Sequence, residues 1–133
     1  MANLFDKLQL KDQKEILVLN SPESFEAELS RLPVLHIHRS VETLPEIRFS
    51  LAFVTRQAEV DAFVPKIAAR AKGDAAVWFA YPKGTSKRFK CDFNRDTGWA
   101  ALHKTGFDSV RSIAIDEDWT ALRFRRKEYI KAR

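Results

Sequence analysis

The sequence predicts an α/β fold: a mostly parallel sheet with helices on both faces and a C-terminal antiparallel hairpin. Three observations carry this. Continuous apolar runs, such as Glu15-Ile16-Leu17-Val18-Leu19-Asn20 and Ala75-Ala76-Val77-Trp78-Phe79-Ala80-Tyr81, suit strands covered on both faces. Segments of helical spacing alternate with those runs, which makes parallel crossovers. The last two strands are separated only by Asp116-Glu117-Asp118-Trp119, too short for a crossover, so they pair antiparallel.

The 133 residues fit one domain, 1–133. Hydrophobic residues make up 45% and charged ones 31%, enough apolar matter for a core. A single cysteine, Cys91, excludes a disulfide scaffold. No apolar run approaches the roughly 18 residues of a membrane span. Met1-Ala2-Asn3-Leu4-Phe5-Asp6-Lys7 does not read as a secretory signal. The expectation is a soluble, reduced, cytoplasmic domain without a membrane partner.

Residues 4–10 read as one or two amphipathic turns. After the strand at 15–20, Ser21 is placed to cap a helix over 22–31 with Pro22 in its first turn, Phe25, Leu29 and Leu32 on one face, and Pro33 as its stop. A second strand covers Val34–His38 and a polar connection 39–47. The third strand is Phe49–Val54. Thr55 is expected to cap a helix over 57–72, whose Val60, Phe63, Val64, Ile67 and Ala71 keep helical spacing. Pro65 should kink that helix or confine its start, and Gly73 should close it. The fourth strand is Ala75–Tyr81, followed by a loop over 82–92 and a helix over Asn94–Thr105 ended by Gly106. Val110–Ile115 and Thr120–Arg126 are the fifth and sixth strands. In the sixth, Thr120, Leu122 and Phe124 share one face, and Ala121, Arg123 and Arg125 the other.

A Rossmann-like sheet closed by a hairpin is the arrangement of class I methyltransferases, and this order of elements is similar to a shortened version of it. Four stretches together also resemble a small uncharacterised bacterial family, a domain of unknown function. They are Ile16-Leu17-Val18-Leu19-Asn20-Ser21-Pro22, Phe53-Val54-Thr55, Trp78-Phe79-Ala80-Tyr81-Pro82-Lys83, and Asp116 through Phe124. That resemblance implies a fold and carries no established activity.

A dinucleotide or S-adenosylmethionine site needs glycines in the turn after the first strand, so that backbone can approach the ligand. Here that turn is Asn20-Ser21-Pro22-Glu23-Ser24-Phe25, and Gly73, Gly84, Gly98 and Gly106 all lie further along. No acid closes the second strand, where His38, Arg39 and Ser40 stand. No cofactor is therefore expected in the usual mode. Open α/β sheets bind ligands beyond the carboxyl ends of their strands. That edge should collect Asn20, Ser21, Arg39, Thr55, Arg56, Tyr81, Lys83, Gly84 and Trp119, with Asp116 nearby. Its arginines, lysine and helix N-terminus would suit an anion.

Charge is uneven along the chain. Residues 1–82 hold ten cations and eleven anions, residues 83–133 thirteen and seven. Lys83, Lys87, Arg88 and Lys90 crowd one loop, where Gly84-Thr85-Ser86 offers phosphate donors and Phe89 a stacking surface. His36 and His38 share a strand face, but zinc would need further ligands and Cys91 lies in a distant loop, so no metal is expected. Arg88 and Lys90 should lower the Cys91 pKa, yet no positioned base accompanies it, and no catalytic residue is assigned. Trp119 either covers the core or lines a pocket mouth.

The leading functional expectation is a non-catalytic Rossmann-like domain that binds a small anionic ligand or a protein partner at the carboxyl edge. A divergent S-adenosylmethionine-dependent methyltransferase relative comes second. Polyanion or nucleic-acid binding through the basic C-terminal half comes third.

Overall fold

The computed structural model describes residues 4–8, 10, 14–30, 36–84, 86–87, 89–93 and 98–130. The elements are α1 (Leu4–Lys7), β1 (Glu15–Leu19), α2 (Glu23–Leu29), β2 (His36–His38), a 3-10 turn (Val41–Thr43), β3 (Ile47–Phe53), α3 (Gln57–Arg70), β4 (Ala71–Pro82), α4 (Ala100–Lys104), β5 (Phe107–Ala114), β6 (Trp119–Arg126) and a second 3-10 turn (Lys127–Tyr129). The strands form one sheet in the order β2-β1-β3-β4-β6-β5. β1 pairs parallel with β2 and β3, and β3 with β4; β6 runs antiparallel to both β4 and β5. The expected mixed sheet with its closing hairpin is the observed one.

The sheet separates two apolar layers. On one face Leu17, Leu19, Val77, Phe79, Leu122 and Phe124 pack with Val60, Val64 and Ile67 of α3 and Leu102 of α4. On the other, Ile16, Val18, Leu51, Phe53, Trp78 and Ala121 pack with Phe5 of α1 and with Phe25 and Leu29 of α2. Alternate residues of one strand therefore feed both layers, which is why these strands read as unbroken apolar runs. Trp78 is fully buried, and its Nε1 donates to the Leu8 carbonyl at 2.8 Å, pinning the N-terminal segment to the sheet.

Several boundaries depart from the sequence expectation. α2 starts one residue late, and Pro22, not Ser21, is its extended N-cap. Asn20 turns the chain into the left-handed region (φ 58), which re-aims Ser21 toward the Glu26 carboxylate. Thr55 likewise yields the cap position of α3 to Arg56. α3 runs unbroken through Pro65 and ends at Arg70, so Gly73 does not close it. Gly73 (φ 56) instead lies where β4 advances from Ala71 to Ala76 while β3 advances from Ile47 to Phe49, and a left-handed residue suits such a bulge. β3 begins at Ile47 and β5 at Phe107, both earlier than their apolar runs. α4 is a single turn after Gly98 and the buried Trp99. The expected contributions of Leu32, Pro33, Val34, Leu35, Thr85, Arg88, residues 94–97, Lys131 and Arg133 fall outside the described residues.

Candidate functional site at the carboxyl edge of the sheet

Parallel strands deliver their C-terminal ends to one edge. There the structure divides the expected residues into separate groups. Asn20, Ser21 and Arg39 surround the β1 turn, Thr55 and Arg56 open α3, Tyr81 ends the run of β4, and Lys83 and Gly84 follow that strand.

Around the β1 turn, Arg39 makes a bidentate pair with Glu26, Nη1 to Oε2 at 2.6 Å and Nη2 to Oε1 at 2.9 Å. The Ser21 hydroxyl donates to the same carboxylate and accepts from Arg39 at 3.3 Å. These bonds to Arg39 and Ser21 hold the Glu26 carboxyl below its ordinary pKa.

Glu59, which the sequence reading missed, ties the next two turns together. Its carboxylate accepts from Thr55 N at 2.8 Å, Thr55 Oγ1 at 3.3 Å, Arg56 N at 3.1 Å and Asn20 Nδ2 at 3.2 Å. Asp92, from the loop after β4, accepts from Gln57 N at 2.7 Å, while its own N–H donates to the Thr55 carbonyl. The start of α3 is therefore filled by two carboxylates of the chain itself. An acid three residues inside the helix start was the available signal for Glu59, one position out of register with Thr55 as the cap.

Beyond β4 lies a cleft of about 850 Å³, lined by Tyr81, Pro82, Lys83, Gly84, Ser86, Phe89, Lys90, Cys91, Asp92, Phe93 and Thr120. That volume is within the range of small-molecule sites. Its floor is aromatic: the Tyr81 ring lies 6.1 Å from Phe93 and 5.7 Å from Trp99. Its rim is folded by Lys83 N donating to the Asp118 carbonyl at 2.8 Å and the Ser86 hydroxyl to the Asp118 carboxylate at 2.9 Å. A hollow of about 480 Å³ beside Thr55, Arg56, Ala58 and Phe63 lies at the start of α3. Trp119 lines neither. It is buried against Phe53 (5.1 Å) and Phe89 (4.9 Å) in the layer that holds α2, so it covers the core. The Cys91 thiol is pushed up, not down: its partial burial outweighs a backbone hydrogen bond at Phe93, and the Asp92 and Glu59 carboxylates add to the rise.

No family model and no curated protein matches the sequence. Solved structures do. A SAM-dependent methyltransferase from Aquifex aeolicus aligns with 92% of this chain and 87% of its own, at TM-score 0.63 and 12% identity. The fibrillarin pre-rRNA processing protein of Methanococcus jannaschii aligns with 88% of this chain and 68% of its own, at TM-score 0.56 and 9% identity. Magnesium protoporphyrin IX methyltransferase from Synechocystis, with bound SAH, aligns with 79% and 57%, at TM-score 0.54 and 11% identity. The fold is the class I methyltransferase fold. These comparisons correct the leading functional expectation: the matching structures include methyltransferases, which favours the methyltransferase-relative reading over a non-catalytic domain. The site weighs the same way at two of the anion donors counted on for the other reading: Arg39 is paired with Glu26, and the start of α3 takes the Glu59 and Asp92 carboxylates.

The methyl donor of that fold does not fit the β1 turn in the usual glycine-lined mode. Asn20 supplies the left-handed conformation that the first glycine would. At the next glycine position, however, Pro22 offers a ring and no N–H. At the end of β2, Arg39 stands where an acid would meet ribose hydroxyls, and its guanidinium is fixed on Glu26.

Proposed function

We propose that the chain is a divergent relative of the S-adenosylmethionine-dependent methyltransferases, with its substrate site in the cleft after β4. The observation that carries this reading is the sheet, in which β6 lies antiparallel between β4 and β5 and which aligns with a methyltransferase over most of both chains. Support also comes from the cleft, which lies at the carboxyl edge where this class of sheet binds its ligands. The Tyr81 and Phe93 rings, tilted by 42° to one another, give the cleft an apolar wall for a substrate, and Lys83 and Lys90 offer cations at its rim. The turn after β1 is closed by Pro22 and the Glu26–Arg39 pair, so the donor is held weakly or from another direction.

Calorimetric titration with S-adenosylmethionine and its demethylated product tests this. A triple variant, Pro22→Gly, Glu26→Gln and Arg39→Asp, reopens the turn and restores an acid. The expected result is saturable binding to both proteins, at least about tenfold tighter in the variant, an advantage of roughly 1.4 kcal/mol. Transfer of labelled methyl to a cellular fraction by the unmodified chain would identify the substrate class. Absence of binding to either protein, with circular dichroism showing both folded, overturns the reading.

A further inference from the structure

We propose that Glu15, His36 and His38 form a binding site for a divalent transition-metal ion, with zinc as the ion its donors suit. The site lies at the β2 edge of the sheet, three strands from β4 and its cleft, and stands independently of the methyltransferase reading. Its origin is register. β1 and β2 run parallel with Glu15 opposite His36 and Leu17 opposite His38. The two-residue period of a strand puts both imidazoles on one face, with the Glu15 side chain beside them. The rings stack at 4.2 Å between centroids, tilted by 13°. One ligating atom from each of the three residues lies within 4.8 Å of the other two.

The contacts around His38 define what that face presents. Thr43 Oγ1 lies 2.8 Å from His38 Nδ1 and holds that side of the ring, and Glu15 Oε1 lies 3.0 Å from Nε2 on the other. A metal ion bound at Nε2 and the Glu15 carboxylate would take the place of the hydrogen bond that joins them. His36, exposed on the same face, adds a third ligating atom.

The donor set is two imidazoles and one carboxylate, which zinc takes in open sites with water as the fourth ligand. Bonds of roughly 2.0–2.2 Å would draw the donors to about 3.4 Å from one another. The carboxylate can make that adjustment because the Glu15 side chain is 56% exposed. His38 is the fixed member, only 7% exposed, and its Nδ1 contact with Thr43 is the outer bond that orients a ligating imidazole. β2 has only three residues, so a metal bridging it to β1 would also lock the sheet edge.

The test is titration of chelator-treated full-length protein with zinc chloride, followed by calorimetry and thermal melting. The expected result is one ion per chain and a higher melting temperature. His36→Ala and Glu15→Gln, both at exposed positions, should each weaken binding by at least about tenfold. Thr43→Val should weaken it through lost orientation of His38, whereas His103→Ala should leave it unchanged. No saturable uptake by the unmodified chain would overturn the proposal and leave His38 simply hydrogen-bonded to Glu15 and Thr43. Binding that survives both His36→Ala and Glu15→Gln would overturn it as well.

Discussion

Gly98 shows how closely single residues are held beside the cleft. It adopts φ 93, and a Cβ built there would meet Phe93 Cδ2 at 2.8 Å and Gln57 Oε1 at 2.9 Å. The Gln57 amide also donates to the Gly98 carbonyl at 2.8 Å, so the start of α3 and the approach to α4 meet at this residue. Gly98→Ala should destabilise by about 1–3 kcal/mol, from strained backbone and overpacking together. Urea denaturation would show a lower midpoint with an unchanged slope. Gly106→Ala is a useful contrast: it carries the same backbone strain (φ 91), but its Cβ would meet nothing within 4 Å. It should cost less.

Among the elements, α3 lacks one of its own backbone hydrogen bonds. Pro65 sits in its interior, exposed, and cannot return a hydrogen bond to the Asp61 carbonyl. Pro65→Ala should therefore stabilise the protein by about 1–2 kcal/mol, less than the full helix-interior penalty because proline also restrains the unfolded chain. A raised thermal midpoint would check this. The same helix shows what a sequence can reveal. The spacing of Val60, Val64 and Ile67 made the helix and its buried face readable, because that pattern is local. Its Glu59 cap had a local signal, but the Asp92 cap was not readable, since that residue reaches Gln57 from 35 positions away. Gly73 misled for a related reason: the signal for a helix end and for a bulge is the same left-handed glycine, and only the pairing of β3 with β4 distinguishes them. His36 and His38 were legible as partners on one face, whereas Glu15 joins them only through the β1–β2 register. At the cleft, Tyr81, Lys83 and Gly84 were predictable from strand ends. The closure of the β1 turn by Glu26 was not, because it depends on where Arg39 falls in space.

For the molecule as a whole, charge sets the response to acid. Arg125 holds Asp74 through two bonds of 2.7 and 2.6 Å and keeps its carboxyl below the ordinary range, as Arg39 and Ser21 do for Glu26. A carboxyl whose folded pKa is depressed contributes in full above its unfolded value, near 4, and loses that contribution as pH falls toward the folded value. Stability should thus be flat with respect to these groups above about pH 5 and decline below about pH 4. Protonating carboxylates also adds to a net charge already at +5, which steepens the decline. Asp74→Asn should flatten part of that slope in denaturation measured from pH 3 to 6. The order of the strands has a consequence for synthesis. β5 touches the sheet only through β6, the strand made after it. A released chain ending before residue 119 would carry a parallel half-sheet with β4 as a bare edge and β5 with no place to dock. Completion of the sheet therefore waits until β6 emerges, and until then the apolar β4 edge is open to chaperones or to another chain.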